Sequence, residues 1–335
     1  MRKRGATIRD VAVAAGVSPS TVSHALSGKR GISEPIKERI VAAVRELDYR
    51  PSLYAQAMKG QTGLVGVVVD DTGNPGTSRY LEVLSAALTR ESLCAVVGLA
   101  GRGRERGLEL LRRFSSGLCD GVINLLPAVS PEEASACCGA VPVVTNIREP
   151  QMPIELDYER LTEELLSYLW GMGHRRIGYI TSTARMSGAD TTIGVMARFH
   201  VEHGVAFDAR RQVVEGDDSL ACGMSGAERL RAEAGVTAII AGNDQMAFGV
   251  YRWARERGLR VPEDISVIGY DDVPLASLAS PALTTCRFPV EEVVAHTVRL
   301  LLGKLGRGEL PSGTLRLRLS LVERDSVCRR RVEEP

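Results

Sequence analysis

The sequence has no long apolar run. No stretch approaches the ~20 residues that span a bilayer, because glycine or charge interrupts every candidate, so a membrane role is not expected. The opening MRKRG is similar to the basic start of a secretory signal. However, Arg9 and Asp10 interrupt the segment that follows, and no sustained apolar core develops. We therefore expect a cytoplasmic protein.

Paired cysteine spacing is also missing. The seven cysteines are scattered, odd in number and without a CxxC pair, which argues against a disulfide framework and against a zinc site. We interpret most of them as small buried hydrophobes. The adjacent Cys137 and Cys138 leave a redox or metal feature open.

Enzyme motifs are absent or incomplete. The sequence has no Walker motif, GxSxG or HExxH, and in GLAGRGRERG the bulk of Arg106 occupies the third glycine position of a dinucleotide fingerprint. We interpret His200 and His203, beside Glu202, as solvated helix residues rather than metal ligands. His174 is interpreted as a structural turn residue. We expect no enzyme activity, no cofactor and no metal.

Positive charge is concentrated at one end of the chain. Residues 1–60 contain 11 Lys and Arg against 5 Asp and Glu, a net charge of +6, whereas the rest carries a net charge of −5. This asymmetry is typical of a segment that meets phosphates, attached to a body that does not.

The stretch GVSPSTVSHAL has the start signals of a helix. Ser18 can accept a hydrogen bond from a free backbone N–H, and Pro19 takes the first helical position, where its missing N–H costs nothing. Helical spacing predicts an inward face and an outward face. The inward face comprises Val22, Ala25 and Leu26, and the outward face Pro19, Ser20, Ser23 and His24.

A first helix is predicted before Gly16. Thr7 can cap it, with Asp10 reaching back to the first turn. Its buried stripe comprises Ile8, Val11, Ala12 and Ala15. Two short helices that meet at a glycine-containing turn suit a helix-turn-helix, whose second helix presents its N-terminal side chains to base edges in the major groove.

A third helix and a short hinge are predicted next. Ser33 is predicted to cap the helix, with Pro35 in its first turn, and the head ends near Tyr49. Its apolar face comprises Ile36, Ile40, Val44 and Leu47. The following SLYAQAMKG is too short to form a stable helix alone in water.

Ala55 and Met58 share a face of that hinge segment. We expect the hinge to order against its copy from a second subunit on DNA, where Met58 would wedge between base steps of the minor groove. A flexible linker without contacts is the simpler alternative.

From Leu64 onward, strand and helix patterns alternate. Nearly continuous β-branched runs such as LVGVVVD and CDGVINLL, and later RIGYITS, VTAIIAG and ISVIGYDD, are what a parallel sheet covered on both faces requires. Two successive units predict two doubly wound α/β lobes. Ligands bind beyond the carboxyl ends of such strands, so the cleft between the lobes is the expected small-molecule site.

Several motifs in order resemble the LacI/GalR family of bacterial transcription repressors. They are TIRDVAVAAGVSPSTVSHALSGK, GISEPIKERI, ELDYRPSLYAQAM, GHRRIGYI, AGNDQMAFGVYRWARERGLRVPEDISVIGYDD, SPALTTCRF and LVERDSV. The resemblance covers nearly the whole chain. It implies a homodimer or tetramer, a core like that of periplasmic binding proteins, and an all-α, lambda-repressor-like head that binds a palindromic operator. The ending VCRRRVEEP has no repeated apolar seam, which favours a dimer.

With this resemblance we assign three segments. Residues 1–49 form the helix-turn-helix head, 50–61 the hinge helix, and 62–335 the effector-binding and dimerisation core. Lobe 1 is expected to comprise about 62–157 and 290–318, and lobe 2 about 158–289 and 319–335.

The resemblance also implies DNA-contacting residues. The family's specificity positions fall on Pro19, Ser20 and His24, with Thr21 and Ser23 at phosphate or supporting positions. His24 can donate to guanine N7 or O6, and a solvated helix residue is the alternative. The remaining expected contacts are Thr7, Ser18, Lys29, Tyr49, Arg50, Ala55 and Met58, the last where the family usually has Leu.

In the cleft, the implied effector residues depart from the family pattern. Asn243 and Asp271 match positions that bind ligand hydroxyls in sugar-responsive members, although both could instead cap the following turns. The arginine that clamps many effectors falls near Asp190, and Phe288 replaces a common Gln. The other expected contacts are Asp71, Asn74, Gly76, Asn146, where the family often has Asp, and Arg185. An acid stands near the position of the family's arginine, and a phenyl ring stands in place of an amide. The cleft is therefore predicted to bind a ligand different from the family's usual one.

The alternative function is a solute receptor without DNA binding, because the core fold alone cannot separate the two. A secreted receptor would need a signal peptide and has no use for a basic, capped helix pair. We therefore predict a DNA-binding transcription regulator, a repressor, whose operator affinity is controlled by a small molecule between the lobes.

Overall fold

The computed structural model describes residues 6–26, 32–49, 62–70, 72–101, 103–145, 153–182 and 186–330, the last beginning with backbone alone for 186–190. Contacts between Cα atoms divide the chain into two units, Met1–Thr62 and Gly63–Pro335. The predicted hinge, 50–61, lies outside the described residues. So do Lys29, Arg50, Ala55, Met58, Asp71, Asn146 and Arg185, and the side chain of Asp190.

The first unit contains the helices α1 (Ile8–Ala15), α2 (Pro19–Leu26) and α3 (Glu34–Glu46). The predicted capping box of α1 is confirmed, because the Asp10 carboxylate accepts the Thr7 N–H at 2.7 Å while the Thr7 hydroxyl accepts the Asp10 N–H. α1 ends at Gly16, whose φ of 64° turns the chain sharply into α2. The predicted helix-turn-helix is therefore present.

The start of α2 also agrees with the sequence. The Ser18 hydroxyl accepts the Thr21 N–H at 3.1 Å, so the predicted cap is confirmed. The three helices enclose a small apolar core of Val11, Ala12, Ala15, Val22, Ile40 and Ala43.

Two predictions about the head are wrong. Leu26 is 41% exposed rather than buried, because it ends α2, while Val22, one turn back, and the preceding Ala25 supply the contacts with the core. Ser33 stands at the N-cap of α3 but makes no side-chain capping bond. Pro35 and Glu34 in the first turn favour the helix start instead.

The second unit alternates strands and helices. In chain order they are β1 (Leu64–Val69), α4 (Pro75–Arg90), β2 (Cys94–Leu99), α5 (Arg104–Ser115), β3 (Gly121–Asn124), α6 (Pro131–Cys138), β4 (Val143–Val144), β5 (Ile154–Leu156), α7 (Tyr158–Gly171), β6 (Ile177–Ile180), α8 (Met186–Glu202), α9 (Ala209–Gln212), β7 (Val213–Val214), α10 (Leu220–Ala234), β8 (Ala238–Ala241), α11 (Asp244–Glu256), β9 (Ser266–Asp271), α12 (Pro274–Leu278), β10 (Thr284–Arg287), α13 (Val290–Lys304), β11 (Leu315–Leu317) and β12 (Ser320–Val322).

These elements form two α/β lobes. The sheet of lobe 1 has the order β2-β1-β3-β4 and is parallel throughout, and α13 returns to pack on α4 and on the same apolar core. The sheet of lobe 2 has the order β12-β10-β9-β8-β6-β7, parallel except for β12, which runs antiparallel to β10. Between them, β5 and β11 pair as a separate two-stranded sheet. The predicted two-lobed parallel-sheet fold is confirmed.

Central strands are buried on both faces, as their β-branched runs predict. β3, β6 and β8 are buried along their full length. β2 differs, because it is the edge strand of lobe 1 and leaves Cys94, Val97 and Leu99 exposed.

Two histidine interpretations differ in outcome. His174 is structural as predicted, since its ring nitrogens lie 2.9 Å from the Thr237 hydroxyl and 3.2 Å from the Cys328 carbonyl. The interpretation of His200 as solvated is wrong. Its ring is buried, with Nδ1 2.7 Å from the Met196 carbonyl, because the apolar core of lobe 2 covers that side of α8.

Candidate functional sites

The start of α2 presents a polar surface. Pro19, Ser20 and His24 are exposed, and Thr21 and Ser23 are half-buried, as the outward face of the predicted helix requires. The Ser18 hydroxyl shares hydrogen bonds with the Ser20 hydroxyl at 2.7 Å and the Thr21 hydroxyl at 2.8 Å. These groups are therefore held together at the N-terminus of α2, where they can meet a nucleic acid.

Thr7 and Tyr49 have structural contacts in the head. The Thr7 hydroxyl donates to the Asp10 carboxylate at 2.8 Å within the capping box. Tyr49 packs against the small core, and burial raises the pKa of its phenol. Any contact that these two residues make with DNA comes in addition to stabilising the helices.

A cavity of about 230 Å³ lies between the two lobes. Four predicted effector residues, Asn74, Gly76, Asp271 and Phe288, line it together. The rest of the lining is Val69, Asp70, Thr77, Arg79, Tyr80, Leu125, Pro127, Tyr158, Val273 and Val290. The cavity lies beyond the carboxyl ends of β1, β9 and β10, where ligands of open α/β sheets bind.

Polar groups enter this cleft from both lobes. Asn74 caps α4 by accepting the Gly76 N–H at 2.8 Å, and Asp70 directly follows β1. From lobe 2, Asp271 ends β9 and its Oδ2 lies 3.0 Å from the point where a Cβ of residue 76 would stand. Gly76 therefore leaves room for the Asp271 carboxylate at the start of α4.

One wall of the cleft is apolar. The arginine in the cleft lining, Arg79, is already paired with two carboxylates. Phe288 and Tyr158 supply aromatic surface. The Arg79 guanidinium donates to the Glu82 carboxylate at 3.0 Å and to the Glu291 carboxylate at 2.8 Å. A ligand here would meet carboxylate and amide oxygens on one side and aromatic rings on the other.

Asn243 has a different environment from the one implied by the family. Its side chain caps α11 by accepting the Met246 N–H at 2.7 Å, and it donates to the Asp218 carboxylate at 3.2 Å. It is not among the residues that line the cavity described above. Of the two alternatives left open for Asn243, the structure supports the cap.

Sequence reasoning missed Asp70 and Asp244. Asp70 is the first polar residue after the buried β1 run, which is a usable signal for a cleft residue. Asp244 gave no such signal, because an acid in the first turn of a helix is common at exposed positions. In the structure Asp244 is 1% exposed.

The Asp244 carboxylate is held directly beneath the cleft. It accepts the Val273 N–H at 2.9 Å and the Thr285 hydroxyl at 2.5 Å. Burial first, and then the nearby Asp271 charge, raise the pKa of Asp244 to about 7, although these two hydrogen bonds oppose the rise. The carboxylate of the adjacent Asp272 accepts hydrogen bonds from Arg287 and Arg324.

This raised pKa predicts a pH-dependent stability. Above pH 7 the folded state carries a buried charge at Asp244, whereas well below the ordinary carboxyl pKa of 3.8 the group is neutral in both folded and unfolded chains. The stability contributed by this proton is therefore lost as pH rises from about 4 to about 7. Asp244→Asn stays neutral, so the difference in unfolding free energy between wild type and this variant should move in favour of the variant over that range. Denaturant melts at several pH values measure it, and a constant difference would contradict the raised pKa.

Neither a metal site nor a membrane span occurs in the described part of the chain. Among these residues no group of three or more His, Cys, Asp or Glu is placed to hold a metal ion. No described helix is long and apolar enough to cross a membrane.

A helix-turn-helix head together with a two-lobed core that encloses a polar cleft defines a ligand-responsive DNA-binding regulator. Residues 7–52 match the bacterial regulatory proteins of the lacI family, and residues 166–327 match the periplasmic binding protein-like domain. The chain therefore joins a lacI-family DNA-binding head to a periplasmic binding protein-like core.

The chain is similar to known repressors and to solved structures over nearly its full length. The ribose operon repressor of Escherichia coli (strain K12) is 29% identical, over 96% of this chain and 100% of the relative. The lac repressor dimer, solved with operator and the anti-inducer ONPF, matches with a TM-score of 0.80 and 27% identity over 97% of this chain and 100% of that one. The regulator CelR in complex with cellobiose matches with a TM-score of 0.68 and 27% identity over 96% and 99%.

Proposed function

We propose that this protein is a homodimeric repressor that binds a palindromic operator. Its affinity for the operator falls or rises when a small molecule occupies the interlobe cleft. The observation that carries this proposal is one chain that joins a capped helix-turn-helix to a cleft at the carboxyl ends of two parallel sheets. A protein that acts on operator DNA works in the bacterial cytoplasm. The receptor alternative leaves the lacI-type head, residues 7–52, without a role.

The operator contacts are proposed residue by residue. Pro19, Ser20 and His24 are exposed on α2 and take the base edges, while Thr21 and Ser23 support them or contact phosphates. Ser18, Thr7 and Tyr49 are proposed to contact the sugar-phosphate backbone of the DNA rather than its bases. Lys29, Arg50, Ala55 and Met58 complete the set, with Met58 as the minor-groove wedge.

Apolar surface on both lobes supports a dimer. On lobe 1 the edge strand β2 exposes Val97 and Leu99, and on lobe 2 the short helix α12 exposes Leu275 and Leu278. An uncovered edge strand and a 77% exposed leucine are unfavourable in a monomer. We propose that a second copy covers both surfaces.

Leu278→Asp should weaken this dimer by about tenfold or more, because it places a charge where apolar surface is buried. Sedimentation over a range of concentrations measures the dissociation constant. Val201→Asp is the matched control, since Val201 is 73% exposed on α8, far along the chain from the proposed face. Equal weakening by both variants would remove α12 from the interface.

The effector is proposed to be a small molecule with both polar and apolar surface. Asp70, Asn74 and Asp271 offer acceptors for its hydroxyl or amino groups, and Phe288 stacks on its apolar side. Asp71, Asn146, Arg185 and Asp190 are further candidates. Coupling follows if the effector binds one relative arrangement of the lobes more tightly, and that arrangement either supports or separates the paired hinges.

Asp271→Ala should abolish the effector response and leave operator affinity within about threefold of wild type, since Asp271 belongs to the core rather than to the head. Operator titrations with and without the effector measure both quantities. A variant that still responds normally would limit Asp271 to a structural role in its turn.

The direct test of the function is selection of DNA sites from a random pool by the full chain, followed by titration of the enriched site at several salt concentrations. A palindrome whose affinity falls steeply with salt is expected, because Lys and Arg displace counterions from phosphates. Compounds that change this affinity then identify the effector. A chain that enriches no site, with or without metabolite extract, would overturn the repressor proposal.

A further inference from the structure

The turn that ends β9 holds an unusual backbone. Asp271 has φ of 109° and Asp272 has φ of 54°, and both belong to the left-handed region that side chains with a Cβ rarely adopt. Two such residues in succession persist only where the surroundings hold them. The same turn faces the cleft, since Asp271 and Val273 line it.

Asp244 holds the far end of this turn from below. One carboxylate oxygen accepts the backbone N–H of Val273, and the other accepts the Thr285 hydroxyl of β10. The space for this carboxylate is provided by Gly269, because a Cβ at that position would overlap Asp244 Oδ1. Asp244 therefore joins the start of α11 to β9, β10 and the cleft wall.

Arginines hold the middle of the turn. The Arg324 guanidinium donates to Asp272 Oδ1 at 2.6 Å, and Arg287 Nε donates to Asp272 Oδ2 at 2.8 Å. Asp272 is nearly buried, so these bonds are little weakened by water. Since Asp272 and Val273 are both anchored, Asp271 is held so that it points into the cleft.

Asp271 reaches the opposite lobe. Its carboxylate lies over Gly76 in the first turn of α4, where the positive end of the helix dipole favours an anion. We propose that Asp244 is a positioning residue of the effector cleft, which sets the 271–273 turn so that Asp271 makes this contact across the lobes. The inference rests on the proposed function of the cleft, but its test requires neither effector nor DNA.

The test is hydrogen exchange of the full chain, followed by mass spectrometry of peptides that cover residues 74–80. Asp244→Ala removes both hydrogen bonds and should increase exchange there by about tenfold, although neither of these bonds involves a residue of α4. Asp244→Asn should restore slow exchange, because its amide oxygen can accept the Val273 N–H while its NH₂ donates to the Thr285 hydroxyl.

Gly76→Ala provides an independent variant. Its Cβ would stand 3.0 Å from Asp271 Oδ2 and displace the carboxylate, while alanine itself favours the helix. It should therefore increase exchange at 74–80 in the same way. If Asp244→Ala does not fold, Thr285→Val, which removes one of the two bonds and little volume, replaces it.

Two outcomes would overturn the proposal. In the first, residues 74–80 exchange at the wild-type rate in the folded Asp244 or Thr285 variant. In the second, exchange increases equally throughout α11 and β9 and Asp244→Asn does not reverse it, which would make Asp244 a purely structural residue. A normal operator selection with either outcome would leave the repressor function standing.

Discussion

Gly249→Ala should destabilise the core by about 3 kcal/mol, because the new methyl group has no space. A Cβ at residue 249 in α11 would overlap the Leu220 carbonyl and lie 3.0 Å from the Gly223 Cα of α10. A Cβ at Gly223 would likewise overlap the Met246 carbonyl. These neighbours are backbone atoms, so no side chain can rotate away, and the two helices must separate.

Thermal unfolding followed by circular dichroism measures this effect, with an expected decrease in Tm of roughly 5–10 °C. Gly194→Ala is the matched control, since Gly194 is also helical but a Cβ there would meet no atom within 4 Å. That control should gain about 0.5–1 kcal/mol from helix propensity. A Tm for Gly249→Ala equal to that of the control would contradict the close approach of α10 and α11.

Ser20→Asp should reduce operator affinity about 100-fold or more while the head stays folded. The carboxylate would face phosphates and base acceptors in each half-site, and each lost or repulsive base contact costs about 1–3 kcal/mol. In the free protein the same charge lies in the first turn of α2, where the helix dipole favours it. The loss of affinity would therefore not arise from unfolding.

Ser20→Asn separates charge from shape in this experiment. It has nearly the size of Asp without the charge, so it should keep most of the salt-dependent affinity and change the preferred base. Titration of both variants against the selected operator, together with melting of the head, measures the difference. Affinity of Ser20→Asp within about threefold of wild type would remove Ser20 from the DNA surface.

The helix-turn-helix was predictable because its signals are local. Thr7, Asp10, Gly16 and Ser18 act within four residues along the chain, and each makes the contact that its position predicts. Local rules failed at Leu26, where burial depends on what surrounds the end of α2. They failed again at His200, which the apolar core of lobe 2 covers.

The cleft was predictable only in part. Asn74, Gly76, Asp271 and Phe288 could be placed there because strand ends and family motifs mark them, and the structure brings them together. Asn243 carries the same kind of motif signal, but its hydrogen bonds to Met246 and Asp218 make it a cap.

By itself the amino-acid sequence determined the capped head, the order of strands and helices and the position of the cleft at the strand ends, since caps and burial periodicity act over a few residues. Only the tertiary structure decided that the Asp244 carboxylate is buried and supports the turn that carries Asp271. Asp244 and Asp271 are 27 positions apart, and Gly76 is far from both. Their roles depend on distances across packed lobes, which no local pattern encodes.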